Sequence, residues 1–406
     1  MATYDLVLKG GHVLDPATGR DGRFDIGVSG STITAIEPEL PATEATSVIE
    51  VGGADRYVVP GLVDLHTHVA FGATTAGVGM GCCDPDVAGV QSGVTTVVDC
   101  GSVGVANLGT FPTHILPKAK TRVICFTNVG SYAHTMPGLP DVTSLEDIND
   151  EAIASCIEKN PGLVEGVKLR MVGPIIAELG EEVIRRSLAV ARRHGLPLMV
   201  HIGDGGASNR AGAERVADAT RFLLRNFEEG DILTHLCTPH VGGVLDSAKK
   251  PVPELLEARA QGVVLDSALG MGNFGYEVAR AQAELGISPD TISSDLTAGG
   301  QSFHSLLECM AKFMAIGYSV NDVVAMTTVN SAKALGREST LGSLQVGREA
   351  DITVIDVVEG DFKFVDTVRT EFRGNYGIVP VQTVRAGELF APRWGTHPWG
   401  WLPAGA

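Results

Sequence analysis

Between about residue 59 and residue 340 the sequence alternates short apolar runs with longer amphipathic stretches, and this alternation leaves few architectures open. The apolar runs are VPGLVDLHTH, GVTTVVDCG, RVICFTNVG, VEGVKLRMV, LPLMVHIGD, DILTHLC, QGVVLDSA and TISSDLT. Most are rich in valine, isoleucine and threonine and too apolar to alternate cleanly, which is how strands buried on both faces read. Glu181 to His194, Ala211 to Glu228 and Glu254 to Ala260 lie between them with helical periodicity. Strands and helices in this order predict an α/β fold, a parallel (β/α)8 or TIM barrel. At 406 residues and 44% hydrophobic content the chain is long and apolar enough for such a barrel and a smaller partner.

The two ends have a different character. YDLVLKGGHVLD, DIGVSGSTITAIE and TSVIEVGG alternate apolar and polar residues and break at Gly, Asp and Pro, the pattern of half-buried antiparallel strands. After Gly336 the pattern returns in GSLQVGREADITVIDV, DFKFVDT and VPVQTVRAGELF. Residues 1–57 plus 341–406 are therefore expected to meet in one small β-sandwich domain, with 58–340 forming the barrel. No fixed repeat appears beyond the βα alternation, so a solenoid is not supported.

Charge and cysteine usage narrow the partners. There are 31 Lys and Arg against 48 Asp and Glu, a net charge of −17 with no basic cluster, which disfavours nucleic acid and anionic membranes. The start MATYDLVLKGGHVL lacks both a basic segment and a long apolar one, and no stretch of about 18 apolar residues follows, so a cytoplasmic protein is expected. The seven cysteines show no CxxC spacing, and the adjacent Cys82 and Cys83 cannot readily pair with each other. Reduced thiols without a catalytic task are the expectation.

Chemistry is expected where barrel strands end, at their C-terminal side. The first strand ends in His66 and His68, two residues apart and so on one face. The fourth carries Lys168, the fifth ends in His201, the sixth in His235 and the eighth in Asp295. An isolated HxH is more often accidental than a site. A lone strand-end histidine is usually a hydrogen-bonded structural residue, and an aspartate before a loop is usually a cap. All of them at one end of one barrel suit a metal centre instead.

This order of HxH, Lys, His, His and Asp, opened by VVPGLVDLHTH and followed by GSLQVGREADITVIDV, resembles the amidohydrolase superfamily of metal-dependent hydrolases. The segments EGVKLRM, LPLMVHIGD, DILTHLC and PDTISSDL look most like a dihydroorotase-like group that acts as deacetylases. The resemblance implies two divalent metal ions, zinc by preference, although the ligand types suit Mn or Fe as well. His66, His68 and Asp295 would hold the more buried ion and His201 with His235 the more exposed one. Lys168, as a carboxylated lysine, would bridge them. A barrel-interior Lys168 paired with Asp295 is the plain alternative. Asp295 would act as general base and then general acid beside a metal-activated hydroxide.

Substrate contacts are less legible. Arg170 lies on the same face as Lys168 and one step nearer the mouth, where it suits either a substrate carboxylate or a salt bridge to a loop acid. Gly270 and Gly272, in SALGMGNFG after the seventh strand, suit close backbone approach to a ligand or simply a flexible loop. Tyr132 and His134 after the third strand stand at the same mouth, either as ligand contacts or as surface residues. The resemblance also implies histidines where this chain has Thr238, Leu269 and Thr297. Three readings follow: an amide or ester hydrolase acting on a small carboxylate-bearing molecule in the deacetylase manner, a cyclic amidase or lactonase of dihydroorotase or hydantoinase type, and a non-catalytic scaffold. Relatives imply a homo-oligomer.

Overall fold

The computed structural model describes residues 2–72, 81–133, 140–205, 210–298 and 305–393. The N-terminal segment forms β1 (Tyr4–Asp15), β2 (Arg20–Ser29), β3 (Thr32–Glu37), β4 (Ala45–Glu50) and β5 (Arg56–Pro60). Seven parallel strands follow: β6 (Leu62–Thr67), β7 (Val94–Cys100), β8 (Arg122–Asn128), β9 (Val164–Arg170), β10 (Leu198–His201), β11 (Ile232–Thr234) and β12 (Val264–Asp266). The chain then forms β13 (Ile352–Val365), β14 (Glu371–Arg385) and β15 (Glu388–Phe390).

Strands β6 to β12 pair in sequence order, as consecutive βα units dictate. All seven residues of β7 are buried, and the other barrel strands are nearly as enclosed. The helix Glu182–His194 shows why the layers form: Val183, Ile184, Leu188, Val190 and Ala191 face the barrel while Arg185, Arg186 and Arg193 face water. It stops at Gly195, whose φ of +63° lets the chain turn under it, and its last turn carries Arg192, Arg193 and His194 against the negative end of the helix dipole.

The eighth strand position is occupied by Thr291 to Leu296, joined to its neighbours by single parallel bridges, Asp266 to Thr291 and Thr67 to Leu296. Those bridges close the barrel. A regular ladder does not form there, because Asp295 takes a positive φ of 53° and Ser294 gives its N–H to the Asp64 carboxylate at 2.9 Å. The run TISSDLT is thus a barrel staple more than a strand. The run VPGLVDLHTH also differs from expectation, since it holds two strands. Arg56–Pro60 pairs with β1 and β13, whereas Leu62–Thr67 opens the barrel. The joint is Gly61, where a Cβ would fall 2.3 Å from Thr95 Oγ1, so only glycine lets the chain pass between the two sheets.

Both chain ends share one sheet of order β15-β14-β13-β5-β1-β2-β3, with β4 also pairing β1. The far edge folds back: Ile33 N–H donates to Arg348 O at 2.9 Å and Gly347 N–H to Ile33 O at 2.8 Å. This encloses Leu8, Val13, Ile26, Val28, Ile33, Ile352 and Val354 in a separate apolar core. Each such side chain contributes about 1.5–3 kcal/mol by leaving water. The molecule is accordingly a (β/α)8 barrel with a β domain built from both chain ends. No helix among the described residues is long and apolar enough to cross a membrane.

Candidate active site

His66, His68, Lys168, His201, His235 and Asp295 converge inside the C-terminal end of the barrel. His66 is 1% exposed, Lys168 1%, His235 0% and Asp295 6%, and only His201 keeps partial access to solvent. The rings of His66 and His235 lie 5.2 Å apart by centroid and those of His201 and His235 4.1 Å. Asp295 is the hub: its Oδ1 is 3.0 Å from His68 Nε2 and 3.5 Å from His66 Nε2, and its Oδ2 is 3.9 Å from His235 Nε2.

Hydrogen bonds on the other side of each ring decide what the Nε2 atoms can do. His235 Nδ1 lies 2.8 Å from Ala268 O, which can only accept, so Nδ1 carries the hydrogen and Nε2 a lone pair. His66 Nδ1 lies 2.9 Å from Thr234 Oγ1, whose own hydrogen goes to Asp266 Oδ2 at 2.6 Å. His68 Nδ1 lies 2.7 Å from Ser102 Oγ, which is bonded in turn to Asp99. Three Nε2 lone pairs therefore lie around one carboxylate, those of His68 and His66 within 3.5 Å of it and that of His235 at 3.9 Å, and the His66 lone pair also accepts from Lys168 Nζ at 3.1 Å. Acceptors this close repel unless a positive charge sits between them, and separations of 3.0–3.5 Å are near the roughly 3.3 Å expected between ligands of an ion with bonds of about 2.0–2.1 Å. His235 Nε2 is buried with no hydrogen-bond partner among the described residues, and atoms of His66, His235 and Asp295 all lie within 4.8 Å of one another. The residues fit a divalent metal.

The electrostatics agree. Burial, followed by neighbouring positive charge, holds His66 and His201 well below the usual histidine range, and burial lowers His235 to about 4. Burial likewise lowers the Lys168 ammonium toward the neutral amine. Burial is the largest influence on Asp295 and would raise it, but the neighbouring His68, His235 and Lys168 leave it below the ordinary carboxylate value. Lys168 Nζ is bonded to His66 Nε2 at 3.1 Å and Met199 Sδ at 3.4 Å rather than to Asp295.

Two of these residues sit in strained backbone. His235 and Asp295 have φ of 73° and 53°, a region non-glycine residues rarely occupy. The Asp295 N–H donates to His66 O at 2.6 Å and His68 N–H to Leu296 O at 2.9 Å, and these bonds lock the eighth segment against the first strand. Asp64 secures it further through Ser294 Oγ at 2.5 Å and is itself pushed by burial up to about 7.

Asp64, Asp99, Ser102, Thr234, Asp266 and Ser294 are not among the residues the sequence singles out, although Asp99 and Asp266 obey the same rule of polar groups at barrel strand ends. Arg170 forms the loop-acid pair, with Nη1 3.1 Å from Asp141 Oδ1, while Asn128 Nδ2 donates to Asp141 Oδ2 at 2.9 Å. Its Nε is buried without a partner among the described residues. Gly270 has φ of 57°, and a Cβ there would fall 2.1 Å from Asp295 Oδ2. Gly272 faces His240, and Tyr132 is 58% exposed. His134 lies outside the described residues. Thr238, Leu269 and Thr297, where histidines were expected by resemblance, are all buried near the site.

Residues 57–388 match the amidohydrolase family. A deacetylase of Brucella anthropi is 28% identical over 377 residues, covering 91% of this chain and 89% of the relative. Among solved structures, an adenine deaminase superposes with a TM-score of 0.84 at 25% identity, covering 96% of this chain and 100% of that one. A dihydroorotase superposes with a TM-score of 0.83 at 26% identity, covering 95% and 97%.

Proposed function

The chain belongs to the amidohydrolase family of hydrolases, and from that premise we propose that it cleaves an amide or ester bond in a small, carboxylate-bearing substrate in the manner of a deacetylase. The observation that carries this reading is the set of three Nε2 lone pairs around the Asp295 carboxylate. His66, His68 and Asp295 would hold one divalent ion and His201 with His235 a second, zinc in both cases, with carboxylated Lys168 between them. The neutral amine that burial favours is the form able to take up carbon dioxide. When bound, the ions polarise the scissile carbonyl and acidify the attacking water.

The chain's own residues supply the rest. Asp295 Oδ1 or Oδ2 takes the proton of the attacking water and returns it to the leaving nitrogen or oxygen, a task suited to a carboxylate held at the barrel mouth in one orientation. Arg170 stays fixed by Asp141, its Nε without a partner among the described residues, and it would orient the substrate carboxylate. Gly270 lets the backbone after β12 approach Asp295 closely, and Gly272 and Tyr132 would contact the substrate from the loops that carry them. His134 belongs to the same expected set.

A cyclic amide is the second reading, supported by the likeness to a dihydroorotase and by threonines or leucine at Thr238, Leu269 and Thr297 in place of histidines. The intact ligand set weighs against a non-catalytic scaffold. Screening N-acyl and O-acyl acids against cyclic amides with product identification separates the readings. Deacylation releases a second molecule, whereas ring opening yields one product. Turnover of neither class by zinc-loaded protein would contradict the proposal.

A further inference from the structure

His66 and His68 are held in the same way, by a hydroxyl tied to a buried carboxylate, and the His66 arrangement is complete enough to assign a role. Thr234 on β11 and Asp266 on β12 face each other in the sheet register and reach across the barrel to His66 on β6. Asp266 is fully buried and accepts from Thr234 Oγ1 at 2.6 Å, Thr291 Oγ1 at 2.8 Å and Ser293 Oγ at 2.8 and 2.9 Å. A hydroxyl at 2.6 Å from a carboxylate oxygen donates its only hydrogen there, so Thr234 offers His66 Nδ1 nothing but a lone pair. Asp266 Oδ2 also lies 3.9 Å from that Nδ1. The ring is thus confined to the tautomer whose Nε2 faces the site, and the carboxylate charge behind it makes that nitrogen a better donor.

We propose that Thr234 and Asp266 are positioning residues that set how tightly the site binds its divalent ion, acting through the tautomer and basicity of His66. Both are fully buried. The inference rests on reading the site as a metal centre. Without the Thr234 hydroxyl, Nδ1–H loses its acceptor and the ring is free to turn or to exchange tautomers. Asp266 itself keeps the hydroxyls of Thr291 and Ser293.

The test is the zinc affinity of metal-stripped protein, measured by competition with a chelator of known affinity. Thr234→Val preserves shape and removes the hydroxyl, and it is expected to weaken zinc binding about 10- to 100-fold. Thr234→Ser restores the hydroxyl and is expected to bind within about threefold of the native chain. Thermal unfolding of the metal-free proteins checks that the fold is unchanged. Native affinity in Thr234→Val overturns the proposal, and so does Thr234→Ser as weak as the valine variant, because the methyl would then matter and not the hydroxyl. If Thr234→Val does not fold, Asp266→Asn carries the same test, with weakened binding expected and native binding overturning it. A native chain that binds no zinc would instead defeat the metal reading on which the inference stands.

Discussion

Lys168 Nζ lies 3.1 Å from His66 Nε2 at the centre of the barrel, and burial drives both nitrogens toward their neutral forms. A lysine needs no such setting to serve as a structural ion pair. It does need it to react with carbon dioxide, and a histidine needs it to bind a metal at neutral pH.

Replacing Lys168 with alanine removes the group that would join the two ions. The expected result is loss of at least one metal equivalent and a fall in kcat of at least about a hundredfold, with the barrel still folded. Elemental analysis and circular dichroism on one preparation check this. Full metal content and activity in the variant would remove the bridging role.

Gly270→Ala tests how finely Asp295 is placed. The new methyl would begin 2.1 Å from Asp295 Oδ2, on backbone at φ of 57°. Left-handed strain costs about 1–2 kcal/mol in stability, and displacement of the carboxylate is expected to lower kcat by about a hundredfold. KM should change little. A kcat within twofold of native would mean that Asp295 is not positioned by this contact.

His235 supplies a pH signature. Its pKa is lowered by burial from 6.5 to about 4, so the unfolded chain binds a proton more readily than the folded one between those values. Its contribution to stability is fully present above pH 6.5 and is lost as pH falls toward 4. Comparing metal-free native protein with His235→Gln by denaturant unfolding at several pH values isolates the effect from the other buried groups. The native advantage should shrink by ~3 kcal/mol between pH 7 and pH 4. A pH-independent difference would show that His235 is not held neutral by burial.

The strands and the residues at their ends were legible because burial on both faces leaves a run of apolar residues that stops where the active site begins, as at Val200 and His201. What stayed hidden depends on closure of the barrel. Asp266 and His66 are 200 positions apart in numbering, and nothing local to either announces that Thr234 stands between them. The split of VPGLVDLHTH at Gly61 was equally unreadable, since both halves are apolar and only the crowding against Thr95 separates them. At the eighth position TISSDLT has the composition of a strand, but Ser293 and Ser294 spend their hydroxyls on Asp266 and Asp64, and the backbone bends to allow it. Arg170 was left between two partners, and its pairing with Asp141 became visible only when the loop was in place.

The most direct test of the central claim is the divalent metal content of native protein purified without chelator, measured together with hydrolysis of N-acyl and O-acyl acids before and after chelation. Two equivalents of zinc per chain, with activity lost on chelation and restored by zinc, is the predicted result. Protein that binds no divalent ion, or that hydrolyses these substrates equally well after complete chelation, would contradict the account.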